Sequence, residues 1–291
     1  NHRELRRELE ALGHQFAQES DTEVLLHAWL EWREDCVQHL RGMFAFAVWD
    51  AAEQRLFIGR DRLGIKPVYW AETTDGCFLF ASELKAIMAH PAFRREIDPR
   101  AVEDYFTFGY VPEPRSIFSA AHKLPAGHTL TLRRGQREPR IRQYWDLPFA
   151  GDVPAGEADI GRELVERLQE AVDVRLVADV PLGAFLSGGV DSSAVVSLMA
   201  ETSPSQVRTF SIAFDVPEYD ESSYARLMAD HCHTAHTEKL VQVDDFDLLD
   251  RLGDIYDEPY ADSSALPTYR LCQLAREHVT VALSGDGGDE N

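Results

Sequence analysis

Apolar residues recur three and four positions apart at Val24, Leu25, Ala28, Trp29, Trp32 and Cys36, the spacing of one helix face. Ser20-Asp21-Thr22-Glu23 stands before them as a capping box, with Ser and Glu placed to satisfy each other's free N–H groups. The opening NHRELRRELEALGH is a charged helix pattern. Beyond it the period falls to two, and 43–49, 56–60, 68–72 and 77–81 read as a meander of strands, with Asp75-Gly76 as a hairpin turn. In MFAFAVW, 43–49, both alternating faces are apolar. A strand of that kind is covered on both sides, so a second layer is expected on the sheet. Short helices at 82–89 and 99–108, a loop at Pro112-Glu113-Pro114 and strands at 130–133 and 141–144 complete this half.

FAGDVPAG, 149–156, is the best linker candidate and divides the chain into expected domains 1–150 and 151–291. After it the rhythm changes. Ile160, Leu164, Leu168 and Ala171 mark a helix; 182–186 is a strand, 192–200 a helix, 208–214 a strand, 222–231 a helix, 266–276 a helix and 279–283 a strand. Strands alternating with helices predict an α/β domain with a parallel sheet covered on both faces.

Composition narrows the function. Lys and Arg total 29 against 50 Asp and Glu, a net charge of −21. Such acidity argues against nucleic acid or an anionic membrane as partner, and any phosphate has to be neutralised locally, by backbone N–H groups or a metal ion. The cysteines Cys36, Cys77, Cys232 and Cys272 form no close pair, so they read as reduced thiols of a cytoplasmic protein rather than a disulfide frame or structural zinc site. No apolar run approaches the ~18 residues of a membrane span. The chain opens on Asn1 and closes on GDGGDEN, so both ends read as cuts within a longer sequence.

Two glycine loops carry the chemistry. SGGVDSS, 187–193, follows strand 182–186, and SGDGGDE, 284–290, follows strand 279–283. Parallel sheets bind ligands at the carboxyl ends of their strands. Gly188 and Gly189 are expected to let the main chain wrap an anion, with the helix N–H groups at Ser192 and Ser193 and the hydroxyls of Ser187, Ser192 and Ser193 as donors. A Walker loop is excluded, because no Gly-Lys pair exists in the chain. Asp191 repels pyrophosphate unless Mg²⁺ stands between them, and Asp289 on the neighbouring strand end is the natural second ligand. Gripping the pyrophosphate end suits adenylation: a carboxylate attacks the α-phosphate, pyrophosphate leaves, and an amine displaces AMP. Ile212, in strand 208–214, is placed to lie against the adenine.

SGGVDSS resembles the signature of PP-loop ATP pyrophosphatases, and with DEPYADSSALPTYRLCQLAREHVTVALSGDGGDE it is similar to glutamine-hydrolysing asparagine synthetases. RGMFAFAVWD, IGRDRLGIKPVYW and FASELKAI resemble the amidase domain of class II glutamine amidotransferases. The resemblance implies an α+β N-terminal-nucleophile domain, an αββα sandwich, followed by an α/β PP-loop domain. It implies aspartate, glutamine and ATP as substrates, Mg²⁺ as cofactor, and an internal tunnel for ammonia. Many members form dimers, so a homodimer is among the assemblies it admits. Carried over by position, Asp61 matches the group that binds the glutamine amino group. Phe185, Leu186, Ser187, Gly188, Gly189, Asp191, Ser192, Ile212, Ser284 and Gly285 match ATP contacts, and Asp191 and Asp289 the metal ligands. Asp286 matches an acidic position tied to forming β-aspartyl-AMP.

The residues themselves allow a plainer reading of Asp61 as the cap of a turn. The family's catalytic cysteine and its flanking residues match positions before Asn1, and basic residues facing the phosphates match positions after Asn291. On this reading the polypeptide is incomplete as a glutaminase. Two alternatives stay open: a β-lactam synthetase-like or other PP-loop amide ligase acting on a different carboxylate, and a non-catalytic homologue. Four features are read as structural. His231-Cys232-His233 with His236 lies at a helix end, Pro217-Glu218-Tyr219-Asp220-Glu221 is a helix entry, Trp29 and Trp32 are core, and 133–137 is a solvated hairpin tip.

Overall fold

The computed structural model of the chain describes residues 1–148, 156–241 and 248–287. Its residues cluster into two compact units, 1–150 with 255–261, and 151–254 with 262–291. The linker candidate lies outside the described residues except for Gly156.

The first unit opens with helices α1 (His2–Ala11), α2 (Asp21–Trp32) and α3 (Cys36–His39). Ser20 Oγ accepts the Glu23 N–H at 3.2 Å, as a capping box requires, but the Glu23 carboxylate accepts from Ala17 and Gln18 N–H at 2.8 and 2.7 Å instead of closing back on Ser20. Strands β1 (Ala45–Asp50), β2 (Arg55–Arg60), β3 (Tyr69–Glu72) and β4 (Phe78–Ala81) follow, then α4 (Leu84–Met88), α5 (Pro99–Phe108), β5 (Ala121–Lys123), β6 (His128–Arg133) and β7 (Arg140–Gln143). They do not form one meander. Among the described residues, β1-β2-β6-β7 make one antiparallel sheet and β4-β3-β5 another.

Strand β2 alternates between two cores. Phe57 joins Leu5, Leu9, Val24, Trp29 and Cys36, whereas Ile58 joins Val68, Leu124 and Leu130. Phe57 and Ile58 are 0% and 1% exposed, and burying each contributes roughly 1.5–3 kcal/mol. A third core unites Ala71 and Ala121 of the second sheet with Leu84, Ile87 and Ala101 of α4 and α5. Coverage of both faces thus holds for β2, and for β1 only in part. Strand β1 is a sheet edge: Phe46 and Val48 pack on the α1–α3 core, but Ala47 and Trp49 are exposed.

The second unit contains α6 (Glu157–Asp173), β8 (Leu182–Phe185), α7 (Val190–Thr202), β9 (Arg208–Phe214), α8 (Ser222–His231), β10 (Ala235–Val241), α9 (Leu249–Ile255), α10 (Ala265–Arg276) and β11 (Val281–Leu283). Its sheet is parallel throughout, in the order β10-β9-β8-β11. One core joins α6, α7 and α8 to Ala184, Leu186 and Leu283; another joins Phe210 to Leu274 and Ala275 of α10. After β8 the chain steps to β9 and β10, then returns to β11 on the other side of β8. The reversal opens a crevice at the carboxyl ends of β8 and β11, where parallel sheets place ligands.

Candidate functional site

A cleft of about 430 Å³ occupies that crevice, lined from β8, the start of α7, β9, the start of α8, α10 and the loop after β11. Of the nucleotide contacts expected from sequence, Phe185, Leu186, Ser187, Gly189, Asp191, Ser192, Ile212, Ser284 and Gly285 line it and Gly188 does not; Asp286, expected at the adenylate-forming position, lines it too. Asp289 lies outside the described residues.

The two glycine loops touch, backbone to backbone. A Cβ on Gly285 would stand 2.5 Å from the Ser192 nitrogen and 2.8 Å from the Asp191 carbonyl carbon, so no side chain fits there. Helix α7 begins in the cleft with Gly189 as its N-cap residue. The N–H groups of Val190, Asp191 and Ser192 have no partner among the described residues, and the helix dipole adds to the partial positive charge at that end.

Some expected donors are used internally. Ser192 Oγ lies 2.8 Å from Ser187 Oγ, accepts the Ser187 N–H at 3.1 Å, and is 3.3 Å from the Gly189 carbonyl. Ser193 Oγ donates to the same carbonyl at 2.7 Å. These hydroxyl contacts tie the loop to the start of the helix. The glycines also divide their work differently from the sequence expectation. Neither Gly188 nor Gly189 has a positive φ. Gly188 is small because α8 packs on it: a Cβ there would meet Tyr224 Cβ at 2.8 Å. Gly189 faces the cleft and has only Ser187 Oγ close by, at 3.2 Å.

The lining is acidic. Asp191, half-buried, has no hydrogen-bond or ion-pair partner among the described residues. Asp286 Oδ2 accepts from Ser284 Oγ at 3.0 Å. Glu221, which the sequence reading treats only as helix entry, also lines the cleft, and its Oε2 accepts the Gly188 N–H at 3.3 Å. Its signal was position: the last acid before a helix that follows a strand end. Among the described residues, no Lys or Arg lines the cleft.

Below the cleft, Ser211 is held by His236 from β10, whose Nε2 lies 3.1 Å from Ser211 Oγ and whose Nδ1 lies 2.9 Å from Thr209 Oγ1. Burial pushes the His236 pKa below the usual imidazole value, favouring a neutral ring that donates from one nitrogen and accepts at the other. Among the described residues, His231, Cys232, His233 and His236 do not converge as a set of metal ligands.

In the first unit, Asp61 is 1% exposed at the end of β2. Its carboxylate accepts three main-chain N–H groups, from Phe44 at 3.2 Å and from Ile65 and Lys66 at 2.9 Å each. Neighbouring Arg60 ties the same loop from within, donating to Lys66 O at 2.9 Å and Gly64 O at 2.6 Å and pairing with Glu113. Gly64 has a φ of +68°, and a Cβ there would meet Arg60 Nη2 at 2.9 Å. The Arg-Asp-x-x-Gly segment is therefore a turn pinned from within by buried Arg60 and Asp61, and Asp61 fills the turn-capping role.

Residues 1–145 match the family of the glutamine amidotransferase domain and residues 163–291 that of asparagine synthase. The chain is 42% identical over 276 residues to a putative glutamine-hydrolysing asparagine synthetase 2 of Methanocaldococcus jannaschii, covering 93% of this chain and 53% of that protein. It is 37% identical over 291 residues to glutamine-hydrolysing asparagine synthetase 1 of Bacillus subtilis, covering 100% of this chain and 45% of the relative. The amidase chyE of Penicillium rubens is 32% identical over 299 residues, with 95% and 43% covered. The chain spans about half the length of these relatives. With an amidotransferase domain followed by a synthase domain and these identities along its length, the chain belongs to the family of glutamine-hydrolysing asparagine synthetases.

Proposed function

We propose that the polypeptide carrying this chain makes asparagine. Aspartate attacks the α-phosphate of ATP through its β-carboxylate, pyrophosphate leaves, and ammonia released from glutamine displaces AMP from β-aspartyl-AMP. The observation that carries this reading is the meeting of the two glycine loops, which sets the open end of α7, Asp191 and Asp286 around one cleft. Its volume of about 430 Å³ falls within the usual range of small-molecule sites.

On this reading the N–H groups of Val190, Asp191 and Ser192 receive the pyrophosphate, Ile212 lies against the adenine, and Asp286 positions the aspartate. Asp191 fits Mg²⁺, since it offers a hard oxygen ligand, half-buried in the cleft with no competing partner among the described residues. Asp289 is the second ligand of the reading. When bound, the ion supplies charge neutralisation on the departing pyrophosphate. Asp61 has spent three acceptor sites on backbone N–H groups, and its carboxylate retains a further site for the glutamine ammonium. The three cores of the first unit support an N-terminal-nucleophile fold, and the parallel sheet with its glycine loop supports a PP-loop fold. The enzyme is read as cytoplasmic.

Pyrophosphate release by the intact polypeptide, with ATP, Mg²⁺ and a panel of carboxylates, is the test. Aspartate is expected to be required, and Asp191→Asn to lower release roughly a hundredfold or more. Release that ignores aspartate and follows another carboxylate would favour a PP-loop amide ligase with a different acceptor; release untouched by Asp191→Asn sinks the proposed cleft chemistry.

A further inference from the structure

We propose that Asp75, Cys77 and His90 bind a borderline-soft divalent ion of the zinc class, clasping the β3–β4 hairpin to the turn after α4. One ligand atom from each residue lies within 4.8 Å of the other two. The set is mixed, with one thiol, one imidazole and one carboxylate. Zinc accepts all three ligand types, whereas Mg²⁺ and Ca²⁺ select oxygen alone. This chemistry is therefore distinct from that of the acidic cleft in the second unit.

The hairpin presents two of the ligands on a fixed frame. Thr73 N–H donates to the Cys77 carbonyl at 2.9 Å, Gly76 N–H donates to the Thr73 carbonyl at 3.0 Å, and Gly76 takes the left-handed φ of +82° that turns the chain. Thr73 is 6% exposed, and its hydroxyl accepts the Cys77 N–H at 3.0 Å and reaches Asp75 Oδ1. A buried group that orients a ligand in this way is what metal sites place behind their ligands.

His90 comes from the other side of the site. Its N–H donates to the Ile87 carbonyl at 3.1 Å, and its carbonyl accepts from Phe93 at 3.0 Å, so the turn after α4 fixes its backbone. Among the described residues, the ring's hydrogen bond is from the Ala92 N–H, at 3.3 Å from Nδ1. Ligation replaces that long contact: an ion at Nε2 moves the ring proton to Nδ1, and an ion at Nδ1 takes the lone pair itself. Tetrahedral bonds of about 2.0–2.3 Å set ligand atoms roughly 3.3–3.7 Å apart, so donors within 4.8 Å of one another need close by no more than about 1.5 Å. Asp75 and Cys77 are exposed and His90 half-exposed, which leaves them room to do so. The fourth position is open to water. The sequence reading looked for zinc in paired cysteines and found none; this set uses one cysteine, with ligands at 75, 77 and 90.

Cobalt(II) is the probe. The purified chain, reduced and stripped of metal, is titrated with Co²⁺ and followed in the near ultraviolet for the thiolate-to-cobalt band. The expected result is one equivalent bound with that band, displaced by Zn²⁺. Cys77→Ser abolishes the band, His90→Ala weakens Co²⁺ binding roughly tenfold or more, and Cys272→Ser, at the other exposed cysteine, leaves both unchanged. Far-ultraviolet circular dichroism checks that each variant is folded. No band in the wild-type chain, a band that survives Cys77→Ser, or equal affinity in folded His90→Ala overturns the site.

Discussion

Glu258 lies in the segment 255–261, which belongs to the first unit, and neutralising it should destabilise that unit strongly. Its Oε2 pairs with Lys123 Nζ at 2.6 Å and accepts from Tyr69 OH at 3.0 Å, while Oε1 accepts the Ile117 N–H at 2.6 Å. The Lys123 and Glu258 side chains are only 15% and 11% exposed. Burial first, and then the Glu258 carboxylate, push the Tyr69 pKa up, so the phenol remains a donor at every pH of interest. Glu258→Gln preserves shape and an acceptor but removes the charge. Lys123 is then left with the Val111 carbonyl, at 2.6 Å, as its remaining hydrogen-bond acceptor. Breaking one side of a buried pair costs about 3–5 kcal/mol, because the other charge stays buried without compensation. For a unit of this size each kcal/mol is worth about 2–4 °C, so thermal unfolding should shift down by about 6–20 °C. The double variant Lys123→Met/Glu258→Gln leaves no uncompensated charge, keeps an acceptor facing Tyr69 and Ile117, and should recover much of the loss. A shift below about 2 °C in Glu258→Gln, or a double variant less stable than that single one, refutes the reasoning.

Gly285→Ala forces a Cβ to within 2.5 Å of the Ser192 nitrogen, so the loop must back away; we expect a cost of about 1–3 kcal/mol and MgATP binding weakened roughly tenfold by calorimetry. Unchanged affinity would show that the loops need not touch. Asp98 caps α5 through the Arg100 N–H at 2.9 Å, and the Arg100 guanidinium and then that N–H hold its carboxyl below the usual range. Asp98→Ala should lose about 1–2 kcal/mol in urea unfolding at neutral pH. Because the folded pKa is depressed, the charged form's contribution is present above about pH 4 and lost as pH falls through the folded value, so the two proteins should converge in acid. His236 also has a depressed folded pKa, and the unfolded chain takes up its proton first as pH falls below about 6.5. Stability should therefore drop from that point in the wild type, and His236→Gln should flatten the drop; parallel profiles would contradict the buried neutral ring.

Elements were legible where local signals agreed. Helix α5 runs over Pro99–Phe108, as its sequence predicts, because Asp98 caps it, Pro99 opens it and Gly109 at φ +81° closes it. Strand β9 (Arg208–Phe214) and helix α8 (Ser222–His231) are likewise bounded as predicted. Strand β10 was not legible, since AHTEKLV carries few apolar positions. It is a sheet edge, and its place comes from parallel pairing with β9, a partner 27 residues away at His236↔Thr209. The division of β1–β4 between two sheets was hidden for a related reason: period-two spacing marks strands but not their partners. At the site, glycine marked the loops and acid marked the lining of the cleft. The reasons for Gly188 and Gly285 lay in α8 and α7, distant elements that no local pattern names. Glu258 was part of a recognised motif, but its ion pair joins positions 135 residues apart, at Lys123 and Glu258.

Charge decides which form of nucleotide such a cleft can accept. Among the described residues, Asp191, Glu221 and Asp286 line it without a Lys or Arg, and the basic residues that the family resemblance sets against the phosphates match positions after Asn291. Two like unit charges about 6 Å apart repel by roughly 0.7 kcal/mol in water and roughly 2.8 kcal/mol at an effective dielectric of 20. Three carboxylates against a polyphosphate multiply that cost several-fold. A helix terminus returns at most about 2 kcal/mol, so the open end of α7 does not balance the account alone. Metal-complexed nucleotide arrives with half or more of its charge already neutralised, and for it the same carboxylates become ligands and hydrogen-bond acceptors. If the proposed function holds, this acidic lining favours the metal-complexed nucleotide over free ATP. It follows that affinity for ATP without a divalent ion should be poor, and that Asp191→Asn should narrow the gap between the free and complexed forms rather than weaken both equally.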